Sequence, residues 1–175
     1  VIVREGDKKP SCGALLSLSG DIEVDIESLC RLMITLSDNT ATNMLIRTVG
    51  IDELKRGFAQ MGLVKTQIQR ELFDDEAAAK GLENYISPEE IAMLLKQVYQ
   101  RGFVSRQVSE KIENVMLLQQ IRHKIPGYIG RKKKIANKTG EDSDTTHDAA
   151  IVFAQRPSYW SSPPTIQMCL RQRDL

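Results

Sequence analysis

Cysteine and histidine are scarce in this chain. It holds three cysteines, Cys12, Cys30 and Cys169, and two histidines, His123 and His147. An odd number of cysteines without C-x-x-C spacing argues against both a closed disulfide framework and a zinc site. The two histidines are far apart in sequence, which argues against a histidine-based metal centre. We therefore predict neither a metal nor a cofactor.

Long apolar runs and an excess of charge are also lacking. No apolar run approaches the roughly 20 residues that a membrane span needs. The first seven residues lack both the basic region and the apolar region of a signal peptide, and they include no methionine. The chain therefore reads as the middle of a longer protein. The net charge of +1, from 24 basic and 23 acidic residues, favours neither nucleic acid nor an anionic membrane as partner.

Loop and short extended pieces are predicted over 1–24, helical patterns begin at Asp25, and extended patterns follow Pro126-Gly127. Apolar spacing predicts five helices. Four of them have a predicted N-cap, at Asp25, Asp52, Ser87 and Ser105, and the remaining one begins near Ala41. Gly50 is predicted to end the helix from Ala41, and Gly102 the helix from Ser87. Strands are predicted over 134–138, 149–154 and 165–170. The order predicts a single α+β domain over 1–175, with a helical lobe at about 11–128 beside an antiparallel sheet at about 129–175.

Residues 63–86 form the longest irregular stretch between predicted helices. From Arg70 onward, five ionisable groups occupy seven positions. Long loops inside compact domains tend to be functional or disordered. The apolar side chains of Leu72 and Phe73 offer a means of fixing this loop to the core.

Two polar motifs stand out, Ser37-Asp38-Asn39 between two helices and Lys138-Thr139-Gly140 on a strand. The first motif alone is equally typical of a helix cap, because Ser and Asp are preferred N-cap residues. Placed across a cleft, the two motifs would present two hydroxyls, an amide and an ammonium to a polar, anionic substrate. Lys138 would attract a carboxylate and lower the pKa of a neighbouring hydroxyl. Gly140 would let a substrate backbone approach the strand, and Ser37 could relay a proton.

The chain resembles the penicillin-recognising serine hydrolases, and most closely their class A β-lactamase-like branch. That family is marked by Ser-x-x-Lys, Ser-Asp-Asn and Lys-Thr-Gly, and two of the three motifs are present. The flanking segments Met33-Ile34-Thr35-Leu36 and Thr40-Ala41-Thr42-Asn43 agree with it. The resemblance covers roughly residues 11–155. It implies acyl transfer on a β-lactam or a peptidoglycan peptide, outside the cytoplasm.

The resemblance also implies roles for individual residues. Ser37 and Lys138 would handle proton traffic and substrate charge, while Asn39 and Thr139 would orient the substrate. One backbone N–H of the oxyanion hole would lie just past Gly140, at Glu141.

Three departures from the family pattern are visible. No serine of the chain has a lysine three residues on, so the nucleophile motif is missing; we expect incompleteness at the N-terminus and also at the C-terminus. Glu71 is the nearest candidate for the loop glutamate that drives deacylation, but an ion pair with Arg70 would equally explain it. The place where many members carry an arginine for the substrate carboxylate falls near His147 and Asp148.

Two alternatives to a β-lactamase-like hydrolase stay open from the sequence. One is a D-alanyl-D-alanine peptidase or other cell-wall hydrolase that deacylates β-lactams poorly. The other is a non-catalytic binding relative that kept the motifs and lost the nucleophile. An incomplete helical lobe would expose apolar surface, so we also expect self-association or pairing with an N-terminal fragment.

Overall fold

A computed structural model describes residues 1–130, 132–142 and 145–153, and the backbone of a further strand at 165–172. The chain divides into two compact units, Val1–Glu90 and Ile91–Leu175. Each unit is described below by itself.

The first unit is mainly helical and has a short two-stranded sheet near its start. Strands β1 and β2 pair antiparallel. The elements, in chain order, are β1 (Ile2–Val3), β2 (Ile22–Glu23), α1 (Ile26–Thr35), α2 (Asn39–Val49), α3 (Ile51–Gln60), α4 (Asp75–Ala79) and the start of α5 (Pro88–Tyr99).

The core of the first unit lies between the small sheet and helices α1 and α2. Its buried members are the apolar side chains of Val3, Leu15, Leu29, Ala41 and Met44. The predicted cap of α1 is confirmed, because the Asp25 carboxylate accepts a hydrogen bond from Ser28 N at 2.8 Å. The apolar spacing that predicted these two helices is therefore the spacing that buries them.

Helix α3 begins earlier than predicted. Asp52 is not its cap: the helix starts at Ile51, directly after Gly50, and Asp52 lies in the first turn. Gly50, which was predicted to end α2, has a φ of 88° and also precedes α3. A φ in this range is readily adopted only by glycine, so one residue reverses the chain between two helices.

The second unit contains the rest of α5, α6 (Arg106–Leu117), α7 (Ile125–Ile129) and three strands. Helix α5 ends at Tyr99 instead of reaching Gly102 as predicted. The reason is that Arg101 adopts a φ of 63°, and Gly102 N then donates to Gln97 O at 2.9 Å, which closes the last turn. The Arg101 guanidinium also donates to the buried Glu113 carboxylate at 2.7 and 3.0 Å.

The three strands form one antiparallel sheet in the order β3-β4-β5. Their bounds are Ile135–Glu141, Thr145–Val152 and Thr165–Gln172, so each predicted strand is confirmed; Ala154, the predicted end of the second, lies outside the described residues. A cluster of buried apolar side chains covers the sheet, formed by Ile125, Ile135, Ala150 and Val152. The α+β class predicted from the sequence is confirmed.

Candidate active-site segments

The first motif is built around the buried carboxylate of Asp38, which has no exposed surface. Its Oδ1 accepts from Ala41 N at 2.9 Å and so caps α2. Its Oδ2 accepts from Ala14 N at 2.7 Å and Leu15 N at 2.9 Å. The cap predicted from the sequence is thus present, but the same side chain also holds a segment more than 20 residues away. Charge-assisted bonds of this kind are about twice as strong as neutral ones.

Gly13 is required by this arrangement. Its φ is 116°, and a Cβ at this position would overlap the Asp38 carboxylate. No other residue type fits between the motif and the segment that the carboxylate binds.

Ser37 and Asn39 lie on either side of this fixed carboxylate. Ser37 is half-buried and has a φ of 51°, which ends α1 and turns the chain into α2. The side-chain nitrogen of Asn39 donates to Pro10 O at 2.8 Å and to Ser11 Oγ at 3.1 Å. The Asn39 side chain is therefore held by the segment at Pro10 and Ser11.

The loop glutamate has a different partner from the one predicted. The Arg47 guanidinium of α2 binds both carboxylate oxygens of Glu71 at 2.8 and 2.9 Å, and it also binds Asp7. The hydrogen bonds that Arg47 donates to Glu71, and then to Asp7, raise the pKa of Arg47 against an opposing effect of burial. The predicted Glu71–Arg70 ion pair is wrong, because Arg70 instead binds Glu83 at 2.7 Å.

Asn43 of α2 holds the next loop residue. Its Nδ2 donates to Leu72 O at 2.9 Å, and its Oδ1 accepts from Leu72 N at 2.8 Å. The loop is thus fixed by polar bonds to its backbone, whereas Phe73, one of the predicted apolar anchors, is 44% exposed. Asn43 was not singled out from the sequence, although it stands four residues after Asn39 and so on the same helical face.

The second motif lies on β3, opposite β4. In the register of the two strands, Thr139 faces Asp148 and Gly140 faces His147. Thr139 is only 4% exposed, whereas the neighbouring Lys138, on the other face of the strand, is half-buried. The Lys138 ammonium donates to the carbonyl oxygen of Thr139.

A histidine and a lysine contact the strand at Gly140. The imidazole of His147 fills the space where a Cβ on Gly140 would lie. Lys124 was not predicted from the sequence as a residue of this site. Its Nζ donates to Gly140 O at 2.8 Å and to His147 O at 3.2 Å. It also lies 3.4 Å from the Glu141 carboxylate. Burial, followed by the charges of Lys124 and Lys138, lowers the pKa of His147. At neutral pH this imidazole is therefore neutral.

Beside the strand end, Asp148 is fully buried and bonded on both sides. It accepts from Asn137 Nδ2 at 3.1 Å and from Ile125 N at 3.0 Å. Burial raises the pKa of Asp148, and these two hydrogen bonds oppose the rise. Asp148, near which the resemblance places an arginine that this chain lacks, is thus a buried structural acid.

Metal-ligand geometry is absent from the part of the chain that the structure describes: no three His, Cys, Asp or Glu side chains there come together around one point. In the same residues, no helix is both long enough and apolar enough to cross a membrane. Besides the buried Asp38 carboxylate, the two motifs carry hydroxyl, amide and ammonium groups, and the His147 imidazole lies beside Gly140. These groups serve proton transfer and the binding of anions and amides.

The order and packing of these elements is that of the β-lactamase and transpeptidase fold, here as a partial copy. A β-lactamase from Sphaerobacter thermophilus is similar with a TM-score of 0.77 and 28% identity, over 87% of this chain and 57% of that one. PBP-A is similar with a TM-score of 0.76 and 29% identity, over 87% of this chain and 56% of that one. An L-to-E variant of PBP-A in an acyl-enzyme complex with penicillin G gives 0.75 and 29%, over 86% and 55%.

The chain belongs to the β-lactamase enzyme family, whose model matches residues 1–161. No curated protein gives a significant match. The chain spans less than two thirds of the length of the structural relatives above.

Proposed function

We propose that this chain supplies part of a serine hydrolase site for acyl transfer on β-lactams or related cell-wall amides. The supporting observation is that the chain belongs to the β-lactamase family and holds two of its three motifs in fixed positions. The hydrogen bonds of the Asp38 carboxylate fix the first motif, and the pairing of β3 with β4 fixes the second. Ser37 and Lys138 handle proton transfer and substrate charge. Asn39 and Thr139 orient the substrate, Gly140 admits its backbone, and Glu141 offers a backbone N–H to the oxyanion.

The nucleophile of this reaction is not among the 175 residues, because no serine is followed by lysine three positions on. In the proposed reaction a serine of a Ser-x-x-Lys segment attacks the lactam or peptide carbonyl, with that lysine as base. The oxygen–carbon bond of the ester forms as the carbon–nitrogen bond breaks, and the proton passes to the leaving nitrogen.

The test uses a form of the protein that carries a Ser-x-x-Lys segment ahead of this chain. Lys138→Ala should lower the rate of acylation by a fluorescent penicillin about 100-fold, because an ammonium aimed at developing or fixed negative charge is lost. Glu71→Ala, the matched variant, should stay within about threefold since the Glu71 carboxylate is bound by Arg47. Equal rates for wild type and Lys138→Ala would refute the proposed role.

One observation favours the peptidase-type alternative. The Glu71 carboxylate is occupied by an arginine fork, and a base bound in this way is poorly placed to activate water. A protein with this loop should acylate readily and deacylate slowly. If Glu71→Ala instead trapped an acyl-enzyme that wild type turns over, Glu71 would be the deacylation base. The protein would then be a β-lactamase and not a peptidase-type relative. A non-catalytic relative would show no acylation in any variant.

The proposed substrates exist outside the cytoplasm, and we propose that location for the protein. Its proposed partner is a small β-lactam or a peptidoglycan peptide. Self-association or a fragment partner stays a prediction; the first unit exposes the apolar side chains of Ile2, Leu16, Leu18 and Ile26 by 43–52%, which would serve such contacts.

A further inference from the structure

The charges of this chain are unevenly distributed along the sequence. Between Glu113 and Glu141 lie 27 residues with seven Lys or Arg side chains and no Asp or Glu. Since the chain holds 24 basic residues, the rest of it has 17 of them against all 23 acidic ones. The net charge of +1 therefore combines a strongly basic segment with an acidic remainder. A charge asymmetry of this kind points to an anionic partner for the basic segment.

Helix α7 lies in this basic segment and has an exposed aromatic side chain. Its residues Ile125 and Pro126 are buried, and Ile125 belongs to the apolar cluster on the sheet. Tyr128 is 90% exposed, more than any other large apolar or aromatic side chain in the part of the chain that the structure describes. The helix is thus held to the core by one side while a tyrosine ring stands in water on the outside.

Two exposed lysines follow this tyrosine around a tight turn. Lys133 N donates to Gly130 O at 3.1 Å, so Lys132 and Lys133 lie directly after the helix, and both are exposed. Lys134 differs from them, because its ammonium lies 4.6 Å from the centre of the Phe153 ring. We call Tyr128, Lys132 and Lys133 the basic surface.

The basic surface is separate from the second motif. Lys133 precedes β3, whereas Gly140 lies near the other end of that strand. Ile135 and Gly140 are five residues apart, which is roughly 17 Å in an extended strand. A small molecule bound at Gly140 is therefore out of reach of this surface, which has a different ligand.

We propose that the basic surface docks the protein on an anionic lipid membrane. Lysines beside such a membrane are attracted to its phosphate groups over about a Debye length. A tyrosine has an apolar ring and a polar hydroxyl, which suits it to the headgroup region, where this residue is enriched. A soluble polyanion needs the lysines alone, and a single-stranded nucleic acid needs several aromatic side chains for stacking. The single exposed ring beside two lysines therefore favours a lipid surface.

This inference goes beyond the proposed acyl transfer and does not depend on it. The test is cosedimentation of the 175-residue chain with two kinds of lipid vesicle. One kind contains one part phosphatidylglycerol to two parts phosphatidylcholine, and the other contains phosphatidylcholine alone. Wild type should bind only the anionic vesicles. Raising the salt from about 0.05 M to about 0.5 M should release it, because salt screens the ammonium charges.

Variants of the basic surface separate the contribution of charge from that of the ring. The double variant Lys132→Gln, Lys133→Gln should lower the partition coefficient about 25-fold, since each lysine near the membrane contributes about fivefold. Tyr128→Ala should lower it about threefold, because the burial of part of the ring among the headgroups is lost. Tyr128→Trp keeps an amphipathic ring and should bind as wild type does.

Matched controls remove the same groups elsewhere. The double variant Lys55→Gln, Lys80→Gln removes two exposed lysines of the first unit. Tyr85→Ala removes a tyrosine that is 56% exposed. Both controls should stay within about twofold of wild type, because charges and rings that do not face the membrane contribute little.

Three results would overturn the inference. The first is wild type that binds neither kind of vesicle, or both kinds equally; this comparison needs no variant to fold. The second is an equal loss in the two double lysine variants, which would make the effect one of net charge. The third is wild-type binding by Tyr128→Ala, which would mean that the surface recognises phosphate charge alone. None of these results bears on acylation, which the fluorescent penicillin measures separately.

Discussion

At the residue scale, single side chains fix the geometry of each motif. The Asp38 carboxylate joins two distant segments by hydrogen bonds. The Arg47 guanidinium binds the Glu71 carboxylate, so Glu71 is not a free base. In both cases the side chain acts on its sequence-distant partners more than on its neighbours. The polar residues of a motif therefore divide into those that build the site and those that are left to act on a substrate.

Gly13 offers a test of this packing. Gly13→Ala adds a Cβ that overlaps the buried Asp38 carboxylate in a residue with a φ of 116°. We expect a loss of about 3 kcal/mol or more in the free energy of unfolding, from overpacking and backbone strain together. Urea denaturation measures it. Gly20→Ala is the control: its φ is 74° but nothing lies within 4 Å, so only the strain of about 1 kcal/mol should appear.

At the element scale, helix α2 organises the first unit. Its first residue Asn39 holds the segment at Pro10, Asn43 one turn later holds Leu72, and Arg47 another turn later holds Glu71 and Asp7. Positions four apart lie on one face of a helix. One helical face thus binds two segments, at residues 7–11 and 71–72, that are far apart in sequence from each other.

Asn43→Ala tests this anchoring. It removes both side-chain bonds to Leu72 and leaves its N–H and carbonyl without these partners. We expect a loss of about 1–3 kcal/mol in stability and faster hydrogen exchange at Leu72. Asn114→Ala in α6, an exposed asparagine, should change neither quantity. Unchanged exchange at Leu72 in the Asn43 variant would mean that other contacts hold the loop.

The start of helix α5 gives a prediction on pH. The Glu90 carboxylate accepts from the N–H groups of Val64, Lys65 and Thr66 at 2.7–2.9 Å. Burial alone would raise the pKa of Glu90, but these bonds outweigh it and lower the pKa to about 2. The folded-state pKa is below the unfolded one, so this stabilisation is present above about pH 4.5 and is lost as the pH falls towards 2.

Glu90→Gln should therefore lower the urea midpoint at pH 7 and flatten its decline between pH 4.5 and 2. Glu89→Gln is the control, because that side chain is 81% exposed and forms an exposed ion pair with Lys65. It should leave the pH profile as in wild type. A Glu90→Gln profile parallel to wild type would show that other carboxylates cause the acid sensitivity.

At the scale of the whole molecule, the chain carries two family motifs and lacks the third. We expect the isolated chain to show no covalent labelling by a fluorescent penicillin, since no Ser-x-x-Lys is present to form the ester. Intact-mass spectrometry after incubation measures this, and the form that carries a Ser-x-x-Lys segment is the positive control. A mass increase of one penicillin on the isolated chain would show that another residue can act as nucleophile.

The single domain predicted over 1–175, with its helical lobe and its sheet lobe, stays a prediction. The sequence indicates a helical lobe at about 11–128, whereas the compact units divide between Glu90 and Ile91, within α5. Periodicity reports which residues are helical, but it does not report which helices share a core.

The sequence by itself determined the α+β class, the five longer helices, the three strands of the sheet, the cap at Asp25 and the family, because apolar period, cap chemistry and motif spacing are local properties. It left the cap of α2 open between Ser37 and Asp38, and it did not predict the short helices α4 and α7. Only the tertiary structure decided the partners: Glu71 with Arg47 instead of Arg70, Leu72 with Asn43, and His147 over Gly140. These pairs join residues brought together by the packing of distant segments, and nothing in the local pattern specifies them. What a motif residue can do depends on those partners, as Asn39 and Glu71 both show.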